Sequence, residues 1–162
     1  MQNNPDIEGS LRNELNRVSD KVDRQIINAW NDFDMNITGG YIKLIRIRVL
    51  SGYADTPLRF TINGRSFDEP LSLVVRFNNS SSLDANVGRY VVKGAGSNNY
   101  KFYIAKETTG IWDIYAQHTP YRTVFVTQAE YGRYIRSSLF EVTYPNVFVD
   151  SLPDGSLEFT TE

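Results

Sequence analysis

The sequence predicts a mainly β fold: an N-terminal α-helical coiled-coil stem followed by an antiparallel β-sandwich head, with a jelly roll as the expected arrangement, assembled as a homotrimer. Three observations carry this. A single helical apolar stripe occupies the first part of the chain. After the Gly39-Gly40 break, short runs rich in β-branched residues alternate with turn residues. No second helical stripe follows, as expected of an all-β head.

The stem comes first. In "IEGSLRNELNRVSDKVDRQIINAWNDF" the apolar residues are Ile7, Leu11, Leu15, Val18, Val22, Ile26, Ala29 and Phe33. They step 4, 4, 3, 4, 4, 3 and 4, eleven residues for three turns. That is close to the natural helical period, so the seam stays straight or winds slightly right-handed. The other face carries Arg12, Glu14, Arg17, Asp20, Lys21, Asp23 and Arg24 and belongs in water. At ~1.5 Å per residue, about 27 residues make a helix of ~40 Å. A β head of about 125 residues is no longer than that in any direction, so the helix would overhang it. Self-association buries the whole seam. The expected division is 1–38 as helical trimerisation stem and 39–162 as β-sandwich head.

The head follows as short strands expected at 41–50, 58–63, 71–77, 89–93, 100–105, 111–117, 122–127, 135–144 and 156–160. Turn-rich segments separate them: Asn63-Gly64, "FNNSSSLDANVG", "KGAGSNN", "HTPY", "YPN" and "PDG". Asn63-Gly64 is the strongest hairpin signal, because a tight primed turn needs positive φ at both central residues. "KGAGSNNY" reads as a hairpin loop. It lacks the last glycine of G-x-G-x-x-G and precedes no helix, so it is no phosphate cradle.

Composition removes several functions. The net charge is −2, so no global field recruits nucleic acid. With no cysteine there is neither a disulfide framework nor thiol chemistry. No apolar run approaches the ~20 residues of a membrane span, and "MQNNPDIEGS" has no signal-peptide pattern, so membrane insertion is not expected. A lone histidine and no cysteine leave no zinc set, and no metal or other cofactor is expected. "DFDMNITG" fails as a calcium loop, since Ile37 stands where the glycine belongs and Lys43 where the glutamate belongs. Asp68 and Glu69 read as a turn, while Asp84, Asp113 and Glu130 are scattered, so no carboxylate pair marks a glycosidase. No catalytic constellation for substrate turnover is expected.

Tyrosine is the surplus: 10 Tyr accompany 9 Phe and 2 Trp. Tyr100, Tyr121, Tyr131 and Tyr134 flank Gly-, Pro- or Asn-rich loops. A tyrosine offers a flat apolar face and a polar tip, suited to stacking on a sugar ring. His118 is expected as a solvent-facing residue at a strand end beside "HTPY". These five are the ligand-binding candidates, Tyr121 and Tyr131 foremost. Packing in the head or between subunits is the competing role for the rings.

A coiled stem feeding through "TGGYIKL" into an all-β head resembles the C-terminal part of a bacteriophage tail fibre, tailspike or neck-appendage protein. "YIKLIRIRVLSGYADTPLRFTINGR" and the later "GIWDIYAQHTPYRTVFVTQAEYG" are similar to head domains in which an early strand beginning with an aromatic lies near a late W-x-x-Y strand. The resemblance implies a homotrimer in the virion, at its tail or appendage. It implies one of two roles: a fibre tip that binds a host-surface glycan or wall polymer during adsorption, or a C-terminal trimerisation and intramolecular-chaperone module of a longer chain. Some modules of the second kind release themselves by cutting at a Ser-Asp junction before the stem. Asp6 and Glu8 stand at the corresponding place here, with Pro5 where that junction has serine. Tumour-necrosis-factor-like and C1q-like trimers have similar heads, but the missing leader and cysteines count against a cytokine-like ligand.

Overall fold

The computed structural model describes residues 23–26, 38–50, 57–64, 69–77, 87–92, 100–118, 124–131 and 140–161. These residues form twelve strands in two sheets, and among them there is no helix. The first sheet runs in the order β1 (Asp23–Ile26), β8 (Val124–Tyr131), β3 (Pro57–Gly64), β4 (Leu71–Phe77), β5 (Val87–Val92) and β12 (Thr160–Thr161). The second runs β10 (Val147–Val149), β2 (Tyr41–Val49), β7 (Ile111–Gln117), β6 (Phe102–Thr108) and β11 (Leu157–Glu158), and β9 (Phe140–Thr143) also pairs with β2. Every pairing is antiparallel except β12 with β5.

Alternation explains the strands. In β3 the side chains of Leu58, Phe60 and Ile62 are buried, while Arg59, Thr61 and Asn63 face outward and reach solvent. Ile42, Leu44, Ile45 and Ile47 of β2, Trp112, Ile114 and Ala116 of β7, and Phe102 and Ile104 of β6 join the same core. The two sheets therefore share one apolar interior. Phe77 of the first sheet stands 5.9 Å from the Trp112 ring and 5.7 Å from the Phe140 ring of the second.

Three one-residue irregularities keep the faces sorted. Leu44 is an extra residue between the Lys43–Tyr115 and Ile45–Ile114 pairs. Leu44 and Ile45 both point inward, and Lys43 and Arg46 both point outward, although they are three apart. Glu107 is the extra residue of β6, between Lys106 and Thr108. Thr127 plays the same part in β8, so Val126 and Ala129 both face the core.

The structure departs from several sequence expectations. Asp23–Ile26, inside the expected helix, is an edge strand in register with Tyr131 to Gln128 of β8. The helical stripe therefore does not run through Ile26: four residues of backbone pairing replace local helical hydrogen bonds there. Ile7, Leu11, Leu15, Val18, Val22, Ala29 and Phe33 lie outside the described residues. Asn63-Gly64 forms no primed turn. Neither residue has positive φ, and both stay in β3, paired with Phe125 and Val124 beyond the last β3–β4 pair, Ile62 with Leu71. β5 and β6, on either side of the hairpin loop expected at 93–100, belong to different sheets and do not pair with each other. The first sheet has the spatial order β8-β3-β4-β5, a Greek key whose first three strands form a meander. A meander kept within one sheet differs from the interlocked double Greek key of a jelly roll.

The Gly-Gly break before β2 is real. Gly39 and Gly40 have φ of 87° and 79°. At Gly40 a Cβ would also stand 2.3 Å from the Phe148 ring and 3.0 Å from the Val149 carbonyl oxygen. Only glycine satisfies both the dihedral and the close approach.

Candidate functional site

The second sheet turns its other face away from the core, and the register lays out what stands there. One row reads Val147, Lys43, Tyr115, Tyr103 and Glu158, crossing β10, β2, β7, β6 and β11. The next reads Thr143, Arg46, Asp113 and Ala105. On the other side Val149, Tyr41 and Gln117 form a third. This outer face combines three tyrosines with two cations and a carboxylate on the central strands.

Asp113 is the centre, and it is fully buried even though it faces outward. Arg46 lies opposite it and donates through Nε to Oδ1 and through Nη2 to Oδ2, both at 2.8 Å. This fork is the strong, planar form of an ion pair. Lys43 Nζ reaches Asp113 Oδ2 from the neighbouring row at 2.8 Å. Glu107, on the β6 irregularity, lies 3.7 Å from Lys43 Nζ and 3.6 Å from Arg46 Nη2. Both irregular positions thus border the cluster: one puts Lys43 and Arg46 on the same side, the other carries Glu107.

The electrostatics follow from this packing. Burial pushes the Asp113 carboxyl up, but hydrogen bonds from Arg46 and Lys43 outweigh it and hold the group below the usual carboxylate range. Burial pulls Lys43 down, yet the bond to Asp113 leaves it raised. The same bond raises Arg46, against a smaller opposing effect of burial. Asp113 is therefore a fixed anion engaged at both oxygens, and its role is to hold two cations in place rather than to supply a proton. Burial raises Tyr115, and the Asp113 charge adds to it.

The tyrosines border this cluster. Lys43 Nζ stands 5.6 Å from the centre of the Tyr115 ring. Tyr41 and Tyr103 meet edge to face, centroids 5.6 Å apart. They lie on β2 and β6, with β7 between, so the rings meet over the central strand. Both remain partly exposed, whereas Tyr115 is buried.

The residues favoured from sequence lie elsewhere. Tyr100 is a core residue and presents no surface for a ligand. His118 is buried too, with its ring edge-on to Phe148 at 5.7 Å and its backbone N–H donating to the Gly40 carbonyl at 3.0 Å. The expected solvent-facing histidine is thus packed against the return of the chain through β10. Tyr131 ends β8 in the other sheet. Tyr121, Tyr134, Asp6 and Glu8 lie outside the described residues. Among the described residues no three His, Cys, Asp or Glu form a cluster able to hold a metal ion. No helix among them is long and apolar enough to cross a membrane.

The outer-face residues were hidden because Tyr41, Tyr103, Tyr115 and Asp113 are scattered in sequence. One signal was available. "WDIYA" alternates core and outer positions, and "KLIR" brackets two apolar residues with two cations, the mark of a strand with an inserted residue.

No family model, curated protein or solved structure matches this chain.

Proposed function

We propose that this chain is the trimeric tip of a bacteriophage tail fibre or appendage and binds a host cell-surface glycan or wall polymer during adsorption. In this reading the two sheets form the β-sandwich head. The stem is drawn from the seam before β1: Ile7, Leu11, Leu15, Val18 and Val22. The observation that carries the binding role is the Tyr41–Tyr103 pair beside a rigid ionic cluster. Partly exposed tyrosine rings offer sugars an apolar face and a hydroxyl, and the cluster keeps the neighbouring polar groups in fixed positions. A site this shallow is weak alone. Three copies on one stem gain avidity of ~10²–10⁴ when a surface engages them together.

The test is attachment of the intact chain to bacterial cells, purified wall polymer and a glycan array, with its mass measured by light scattering. The proposal expects three times 18.5 kDa and binding to at least one of these surfaces. A folded monomer sinks the stem, and a trimer that attaches to nothing sinks the adhesion role.

One observation favours a second reading, a trimerisation and intramolecular-chaperone module of a longer phage chain. β1 is part of the sheet that contains the head core, so chain just upstream of the head is tied into the head itself. Deleting the domain from its parent separates the two: failure of the parent to fold supports the module, and loss of adsorption alone supports the tip.

A further inference from the structure

Resting on the adhesion reading, we infer that the outer face of the second sheet takes an uncharged stretch of saccharide, not a phosphate- or carboxylate-bearing polymer. The argument is the state of its cations. A face that binds anionic polymer needs basic groups whose charge is not already met. Register places three basic residues here among the described residues, Lys43, Arg46 and Arg48, and Lys101, just before β6, reaches Glu158 of the same face; each of the four has an acidic partner. Lys43 and Arg46 are both held by Asp113 at 2.8 Å, with Glu107 beside them. Arg48 faces Glu141 at 3.5 Å. Lys101 faces Glu158 at 3.8 Å.

The strongest donor geometry on the face is also the most committed. The Arg46 fork that would grip a phosphate already grips Asp113 through two bonds. An incoming phosphate would have to displace a buried carboxylate that Arg46 holds at both oxygens, leaving that carboxylate without its main partner. The aromatic groups carry no such cost. Tyr41 and Tyr103 are partly exposed and already lie together over β7, so a sugar ring can lie on them without breaking an ion pair. Charge compensation and exposed rings together favour stacking and hydroxyl contacts over ion pairing.

An array of immobilised bacterial oligosaccharides, sorted into uncharged and phosphate- or carboxylate-bearing sets, tests this with the intact chain in 50 mM and 500 mM NaCl. The inference expects signal on uncharged spots that changes less than about twofold between the two salt levels. It also expects about a tenfold loss for Tyr41→Ala or Tyr103→Ala. Binding confined to anionic spots and falling steeply with salt overturns the inference and leaves the adhesion reading standing. Full binding by both alanine variants overturns the site. If neither variant folds, the salt response of the unaltered chain still decides between the ligand classes. Binding to no spot, cell or wall polymer overturns the adhesion reading itself.

Discussion

Asp113 and Ile114 are neighbours on β7, and neither exposes any surface, at 0% each. Their side chains point to opposite faces of the same sheet. Ile114 is surrounded by Ile45, Ile104 and the rest of the shared core. Asp113 is surrounded by Arg46, Lys43 and Glu107. Water is excluded from both, but for different reasons. The inner face is dry because apolar atoms prefer it so. The outer centre is dry because an anion has replaced its water with fixed donors, and such burial is stable only while the donors stay. Equal burial therefore hides unequal dependence on neighbours.

The largest expected effect is on the inner face. Ile114→Ala removes three buried carbons from a site with little room to collapse and should cost about 4 kcal/mol. A thermal melt should then fall by roughly 8–16 °C. Asp113→Ala should cost less, about 2–3 kcal/mol. Two cations lose their shared partner, but the Arg46 side chain is 36% exposed and can recover water. The comparison sharpens if Asp113→Leu is combined with Lys43→Met and Arg46→Met. Apolar replacement of a whole ion cluster is often neutral or stabilising, so the triple variant should melt above Asp113→Ala. Nothing comparable should rescue Ile114→Ala from a distance, and a triple variant no better than Asp113→Ala breaks the distinction.

Gly40→Ala comes next, at about 2 kcal/mol, from positive φ together with contact on Phe148 and Val149. Acid and base titration follow. Asp113 is lowered, so its contribution is complete above the unfolded value near 3.9 and is lost as pH falls through the lower folded value. Lys43 is raised, so its contribution is complete below about 10.4 and is lost as pH rises through the higher folded value. The stability gap between the unaltered chain and Asp113→Ala should therefore stay level across the neutral range and narrow at both extremes. A gap that changes steadily through neutrality points to another group. The smallest effect is at the rim, where Arg48→Ala should cost under about 0.5 kcal/mol because both it and Glu141 are mostly exposed.

What could be read from sequence divides along the same line. β4 and β7 coincide with the expected 71–77 and 111–117, and β2 ends one residue short of expectation. Their alternation and bounding turns were local signals. The pairing of an aromatic-led early strand with the W-x-x-Y strand is present as well, with Lys43 opposite Tyr115 and Ile47 opposite Trp112. β1 was illegible because the stripe through Ile26 satisfies a helical period, and only its pairing with β8 makes it a strand. Asn63-Gly64 has the chemistry of a turn, but a third strand, β8, continues to bond it. Asp113 looked like one scattered carboxylate. Its importance lies in which residues the register sets beside it, and register is a property of pairs of strands.

The extra residue at Leu44 has a hereditary consequence. Remove that one codon and "YIKLIRIRV" becomes "YIKIRIRV", a string in which apolar and polar residues alternate without a fault. Such a deletion would leave every remaining β2 side chain on its present face. It would leave each remaining residue opposite its present β7 partner, since Lys43 and Ile45 already pair with the consecutive residues Tyr115 and Ile114. Sorting of the two faces should therefore survive this change of length, and so should the positions of Lys43 and Arg46 about Asp113. Descendants of this chain could lose the irregularity through a single three-nucleotide event and keep both the architecture and the ionic centre.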